Sequence, residues 1–119
     1  MAGSTTFGST VYGMKLLTEV TRYPEPPVTH YIRGYVSMMV LAEALTIADK
    51  KGQLNGPGVK AALETLKDFD TGGLAANKIT FTATDHRPFM TVNIMEFQKG
   101  ALVLKQSPDL PRKAEWLGL

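Results

Sequence analysis

Residues 31–51 read YIRGYVSMMVLAEALTIADKK and form the longest and most apolar stretch with helical periodicity in the chain. One helix face carries four apolar residues at spacings of three and four, namely Ile32, Tyr35, Met39 and Ala42. Further apolar side chains, from Val36 to Ile47, cover most of the remaining circumference. A helix that is apolar nearly all round is buried on more than one side. This stretch therefore predicts a central helix that needs more covering protein than a short chain supplies.

The composition is that of one globular domain at most, because the chain has 119 residues, of which 44% are hydrophobic. Its 13 basic and 11 acidic residues are intermixed, so the sequence has no basic block of the kind that binds a phosphate backbone. We therefore expect no nucleic-acid binding. The absence of cysteine excludes a disulfide framework and a thiolate metal site, but it does not indicate the cellular compartment of the protein.

No targeting or membrane segment is predicted within the chain. The N-terminus, MAGSTTFGSTVYG, lacks the basic region and apolar core of a secretory signal. The longest apolar run, Val36 to Ala48, contains polar residues and is shorter than the roughly 20 residues that cross a bilayer. We expect a soluble chain, with any export signal upstream.

A first, amphipathic helix is predicted before the central one. Residues 1–8 are small and polar, typical of disorder or an artificial extension, and Ser9 or Thr10 can cap the helix that follows. Its apolar stripe consists of Tyr12, Leu16, Leu17, Val20 and Tyr23, with Lys15, Glu19 and Arg22 facing outward. The prolines of residues 24–27, PEPP, end this helix and form a short rigid connector.

Thr29 is the predicted cap of the central helix and Gly52 its left-handed terminator. A third helix opens at Gly56-Pro57-Gly58, with proline in its first turn. Its apolar face consists of Val59, Ala62, Leu63 and Leu66. Residues 69–73, FDTGG, predict a turn with positive φ at glycine.

Short strands follow the helices. Residues 78–82 and 90–97 alternate between apolar and polar side chains, and Lys99-Gly100 forms the turn of a hairpin that returns through Lys105. The tail carries two prolines and Trp116, to which we assign no role. Because an isolated hairpin is marginally stable in water, the pattern favours a piece of a larger α/β protein.

Four segments carry a resemblance to a known family: KLLTEVTRYPEPPVTHYIRGYVSMMVLAEAL, LNGPGVKAALETLKDFDTGGL, KITFTATDHRPF and VNIMEFQKGALV. In this order and spacing, from about Gly8 to Lys105, the chain resembles the C-terminal third of the type I periplasmic substrate-binding proteins of ABC transporters. The branch that it resembles is leucine-binding-protein-like, which takes branched-chain amino acids, amides and urea.

The resemblance implies a two-lobed clamp in which each lobe is a sheet flanked by helices and the ligand binds in the cleft. Residues 9–83 would be the helical part of lobe I, residues 84–89 an inter-lobe crossover that acts as a hinge, and residues 90–105 a hairpin of lobe II. Residues 106–119 would be a C-terminal tail. The opening strands of both lobes are missing, so we expect a C-terminal fragment.

The same resemblance implies ligand contacts at the start of the central helix, where His30, Tyr31 and Arg33 are the candidates. A histidine with the ordinary pKa of about 6.5 contacts polar or carboxylate groups, and helix starts favour anions. The structural alternative is that Tyr31 covers the core while His30 is exposed at the helix start.

Asp85, His86, Arg87 and Pro88 would form the hinge, with Asp85 capping the turn and His86 and Arg87 hydrogen-bonding across it. A hydrolase that uses Asp85 and His86 is the enzymatic alternative. Adjacent residues in an extended segment point to opposite sides, and no nucleophile motif accompanies them. Two histidines without HExxH spacing predict no catalytic metal.

By resemblance, we expect a non-enzymatic, periplasmic binding protein without a cofactor. It would capture a small polar solute such as an amino acid, an amide or urea, and deliver it to an ABC permease. A ligand-sensing ectodomain or regulator of the same fold and a small interaction module remain alternatives. The fragment alone should bind ligand weakly or not at all. Open strand edges of the hairpin and apolar helix faces predict self-association.

Overall fold

The computed structural model describes residues 29–117. Its elements are α1 (Thr29–Lys50), α2 (Gly56–Leu63), β1 (Ile94–Gln98), β2 (Ala101–Gln106) and a short 3-10 helix (Ala114–Leu117). Helices followed by an antiparallel hairpin agree with the predicted order of elements. The disordered N-terminus, the amphipathic helix and the proline connector predicted for residues 1–27 lie outside the described residues.

Helix α1 is the predicted central helix, and Gly52 ends it as expected. Gly52 has a φ of 65°, which glycine adopts without steric cost. The Gly52 N–H donates to the Asp49 carbonyl at 2.9 Å, and the Gln53 N–H donates to the Ala48 carbonyl at 2.9 Å. These two bonds make a Schellman motif. The helix begins at Thr29, the predicted cap, whose side chain lies outside the description.

Helix α2 opens with proline in its first turn, as predicted, and Asn55 caps it. The Asn55 Oδ1 accepts from the Gly58 N–H at 2.9 Å. Gly58 must stay a glycine, because an added Cβ would lie 1.9 Å from the Gln53 carbonyl oxygen. The helix ends at Leu63, so Leu66 is buried but lies beyond it.

Small side chains form the contact between the two helices. Ala44 and Ala48 of α1 pack against Ala62 of α2, and all three are buried. A second cluster near the start of α1 joins Ile32 to Leu74. These clusters cover only part of α1, because Tyr31, Met38, Leu41 and Leu45 are exposed in the described part of the chain. The all-round burial expected for α1 is therefore not met here.

The strand predicted for residues 78–82 is wrong. Only Ile79 pairs, in an isolated bridge with Phe69 in which each N–H donates to the other carbonyl at 2.9 Å. The Thr80 N–H donates to Pro88, and the Phe81 N–H donates to Leu66. Because successive amides bind different segments, no ladder forms beside these residues. The positive φ predicted for the preceding glycine turn is confirmed, at Gly72 and Gly73.

The hairpin is confirmed, with its turn at Lys99-Gly100. Both turn residues have positive φ, 49° and 82°, as a two-residue turn that matches strand twist requires. Strand β1 begins at Ile94 rather than Met90, and its ladder is irregular between Ile94 and Met95. Residues 90–92 pair instead with the tail, where the Val92 N–H donates to Pro108 and the Leu110 N–H to Met90.

By length and composition, α1 could cross a membrane, since its residues 30–50 have a mean hydropathy of 1.2. The apolar run from Val36 to Ala48 is thus only part of a longer, 21-residue segment. Core helices of soluble proteins have the same length and composition, so this property does not assign a membrane location.

Candidate functional site

The first two turns of α1 carry the three residues predicted to contact a ligand. His30, Tyr31 and Arg33 are all exposed, and the first turn contains no acidic residue. In general, the N–H groups and the positive dipole end at a helix start favour anions. The arrangement is therefore compatible with a carboxylate or another polar acceptor.

Arg33 also lines a groove of about 540 Å³ between α1 and the segment that follows α2. The groove wall on α1 includes Val36 and Val40, and the opposite wall includes Phe81, Pro88 and Phe89. Most of the lining is apolar. The structure thus brings Arg33, predicted to contact ligand, to the same groove as Pro88 of the predicted hinge. His30 and Tyr31 do not line this groove.

Asp85 is the centre of an ion-pair cluster. Its Oδ1 accepts from Arg87 Nε at 3.0 Å and from the Arg87 backbone N–H at 2.9 Å. Its Oδ2 accepts from Arg87 Nη2 at 2.9 Å and from Arg112 Nη1 at 2.8 Å. Arg87 Nη1 in turn donates to the Lys113 carbonyl at 3.2 Å. The cluster joins the predicted crossover to the tail.

These bonds favour the ionised carboxylate of Asp85. The side-chain hydrogen bond from Arg87 is the main cause that holds the pKa of Asp85 well below its usual range, and Arg112 contributes in the same direction. The same contact raises the pKa of Arg87. Asp85 is therefore a fixed anion at neutral pH, suited to holding two segments together and unsuited to accepting a proton.

His86 points to a different partner. Its Nε2 lies 3.0 Å from Glu64 Oε1, an oxygen that also accepts from Lys60 Nζ at 2.6 Å. The Phe81 ring stands edge-on to the imidazole, with 6.4 Å between the ring centroids. The hydrogen bonds from Lys60 and then His86 lower the pKa of Glu64.

Asp85 and His86 therefore do not form a pair with each other in the structure. Asp85 bonds to Arg87 and Arg112, while His86 bonds to Glu64 at the end of α2. The geometry gives no support to a hydrolase built on these two side chains. Arg87 reaches the Lys113 carbonyl and His86 reaches Glu64, while hydrogen bonding of these two residues across a hinge stays a prediction.

Sequence reasoning missed Arg112 and Glu64. Arg112 lies 27 residues from Asp85, and no local pattern connects them. Lys60 and Glu64 are four residues apart, a spacing that does predict a helical ion pair. Within residues 29–117, no group of three or more histidine or acidic side chains is placed to hold a metal ion.

A family model described as "Periplasmic binding protein" matches residues 16–101. The match contains α1, the groove, Asp85 and strand β1. No curated protein and no solved structure matched the chain.

The family match defines a class of solute-binding proteins that is typically non-enzymatic. The chain belongs to the type I periplasmic binding protein family of the leucine-binding-protein kind. This confirms the resemblance, and it assigns a solute-binding role in general.

Proposed function

We propose that the chain is part of the solute-binding component of an ABC importer for branched-chain amino acids, amides or urea. The family match across residues 16–101 carries this proposal. The protein would act in the periplasm, release its solute to the permease, and use no cofactor.

The start of α1 is the proposed ligand contact. Arg33 offers a guanidinium to a carboxylate, and the neighbouring groove offers apolar side chains to an aliphatic group. His30 and Tyr31, exposed on the preceding turn, would add polar contacts. This combination of one cation with apolar lining fits an amino acid better than a fully apolar solute.

Residues 84–89 are the proposed hinge between lobe I, with residues 9–83, and the lobe II hairpin of residues 90–105. The Asp85 cluster supports this division, because it anchors the crossover to residues 112 and 113 of the tail. In this proposal the chain is the C-terminal portion of a longer protein and supplies one wall of the cleft.

Calorimetry with leucine, isoleucine, valine, acetamide and urea tests both parts of the proposal. The chain alone should bind each solute with a Kd weaker than about 1 mM, since binding energy from the facing wall is absent. The longer protein of which this chain is proposed to be part should bind one of these solutes at least about tenfold more tightly than the chain alone does.

An Arg33→Ala change in that longer product should weaken binding, while Lys51→Ala, at an exposed position just after the opposite end of α1, should not. Micromolar binding by the chain alone would contradict the fragment proposal. Equal binding by the Arg33 and Lys51 variants would contradict the proposed site.

The hairpin supports a second role, self-association. The cross-strand pairs Met95–Leu104 and Phe97–Leu102 place four apolar side chains on one face. Phe97 is 72% exposed, and Leu102 and Leu104 are each 54% exposed. The other face carries Glu96, which is paired with Lys105 at 3.2 Å.

An apolar sheet face in contact with water is expected to find a partner surface. We infer that two copies associate through this face. Light scattering should show a dimer, and Phe97→Glu should shift it to monomer while Gln98→Glu, on the other face, should not. A monomer at high concentration in the unmodified chain would contradict this inference.

A further inference from the structure

Asparagine and glycine are adjacent where α2 begins, as Asn55-Gly56. Both residues are exposed, and no atom lies within 4 Å of the position that a Cβ at Gly56 would occupy. Glycine has no side chain to shield its backbone nitrogen, and asparagine is a thermally labile residue. The side-chain amide carbon of Asn55 and the nitrogen of Gly56 are therefore both accessible in the folded chain.

The Gly56 nitrogen has no helical hydrogen bond to lose. Gly56 is the first residue of α2, and the first N–H groups of an α-helix have no acceptor within that helix. Its proton is therefore open to removal by base. Without that proton the nitrogen is a nucleophile beside the Asn55 side chain.

We propose that Asn55 is a site of spontaneous deamidation and that the first turn of α2 controls its rate. The Gly56 nitrogen gives its proton to a base and forms a bond to Asn55 Cγ, while the Cγ–Nδ2 bond breaks and ammonia leaves. The product is a five-membered succinimide ring. Water then adds to one of the two ring carbonyl carbons and breaks the bond from that carbon to the Gly56 nitrogen. Opening at Cγ gives aspartate, and opening at the backbone carbon gives isoaspartate.

Two hydrogen bonds of the first turn oppose closure of the ring. Asn55 Oδ1 accepts from the Gly58 N–H at 2.9 Å, and the Asn55 carbonyl accepts from the Val59 N–H at 2.9 Å. Asn55 has a ψ of 171°, whereas ring closure requires the Gly56 nitrogen to rotate toward Asn55 Cβ. This rotation turns the carbonyl away from Val59, and movement of Cγ releases Gly58. The ring therefore closes from a state in which the first turn of α2 is locally open.

The two products act differently on α2. Aspartate keeps a side-chain oxygen that accepts from Gly58, and its negative charge is favourable at a helix N-terminus. Isoaspartate lengthens the backbone by one carbon, so the acceptor geometry for the Gly58 and Val59 amides is lost. Because Ala62 of α2 packs against Ala44 of α1, isoaspartate should loosen the contact between the helices.

The chain contains its own controls in Asn77 and Asn93, which precede Lys78 and Ile94. A side chain on the following residue hinders approach of its nitrogen, and a β-branched side chain such as that of isoleucine is the stiffest. The Asn77 Nδ2 atom is buried in the structure. Asn93 is exposed, as Asn55 is, so it separates the effect of the following residue from that of exposure.

Incubation of the full chain at neutral pH, followed by trypsin digestion and mass spectrometry, measures the three asparagines in separate peptides. Asn55 should deamidate at least about tenfold faster than Asn93, because only glycine leaves the attacking nitrogen unshielded. Electron-transfer fragmentation should identify both aspartate and isoaspartate at position 55. Equal rates at Asn55 and Asn93 would overturn the proposal.

Gly56→Ala tests the attacking residue. The added Cβ points into open space and leaves the Asn55 cap in place, so the variant should fold and its Asn55 should deamidate several-fold more slowly. An unchanged rate would mean that the Gly56 nitrogen is not the nucleophile, and it would overturn the proposal.

Control by the first turn is tested by opening it. In urea that unfolds the chain, Asn55 should deamidate several-fold faster than in the folded chain, because both cap bonds are gone. Gly58→Ala, whose Cβ would meet the Gln53 carbonyl oxygen at 1.9 Å, should raise the rate in buffer while the Asn55-Gly56 pair is unchanged. Circular dichroism shows whether this variant folds, and the urea comparison stands without it. Equal rates in the folded and the unfolded chain would overturn control by the first turn.

Discussion

Asp85 and Arg112, 27 residues apart, are joined by a 2.8 Å bond from Arg112 Nη1 to Asp85 Oδ2. Arg112 Nη1 also donates to the Arg87 carbonyl at 3.2 Å. One guanidinium thus fixes both the side chain and the backbone of the predicted crossover. The tail that follows the hairpin is therefore part of the structure around this segment.

Replacing Asp85 with asparagine should lower the free energy of unfolding in a pH-dependent way. The pKa of Asp85 is lowered in the folded state, so its contribution is present above the unfolded-state pKa of about 3.9 and is lost as pH falls through the folded-state pKa. Urea unfolding at pH 6 should show the unmodified chain as the more stable. At pH 3 the difference should be smaller, and a difference independent of pH would contradict the assigned ion pairs.

Arg112→Ala should release the tail locally. Because Arg112 is partly exposed, the change removes only a solvent-screened ion pair with Asp85, whose free energy is small. The hydrogens of the Val92 and Leu110 backbone amides should therefore exchange with solvent about threefold faster. Hydrogen exchange measured by NMR checks this. Lys105→Ala removes another exposed ion pair, the one with Glu96, and should leave the Leu110 amide unchanged.

Gly58→Ala should destabilise the chain by about 3 kcal/mol, because its Cβ would meet the Gln53 carbonyl oxygen at 1.9 Å and force the backbone to shift. Gly56→Ala, two residues earlier in the same helix turn, meets no atom within 4 Å. This control should change the free energy of unfolding by no more than about 0.5 kcal/mol. Similar losses for the two variants in urea unfolding would be inconsistent with the close approach at Gly58.

Ile32→Ala should also destabilise the chain by about 3 kcal/mol, because Ile32 is fully buried against Leu74 and the change leaves a cavity. Leu54→Ala removes a similar side chain at a position that is 60% exposed, and it should cost less than about 1 kcal/mol. The urea concentrations at the unfolding midpoints of the two variants give the measurement that compares these sites. If Leu54→Ala proved as costly as Ile32→Ala, the core would lie elsewhere.

The sequence predicted the features that depend on neighbouring residues. Gly52 ends α1, Pro57 stands in the first turn of α2, and Lys99-Gly100 turns the hairpin, all as expected. Each of these depends on the backbone angles of one or two residues, which side-chain type restricts directly. The site residues His30, Tyr31 and Arg33 were predicted only through the family resemblance.

The tertiary structure decided which distant segments meet. Residues 78–82 have the alternation of a strand, but pairing needs a neighbouring strand, and their amides bind Phe69, Pro88 and Leu66 instead. The groove that joins Arg33 to Pro88 likewise depends on how α1 packs against the later segment.

The ion pair between Asp85 and Arg112 is also a contact between distant segments that the tertiary structure decided. A local sequence pattern determines the angles of a turn, because those angles depend on the residues within it. Contacts across tens of residues depend on the packing of the whole chain, and only the folded structure contains that information.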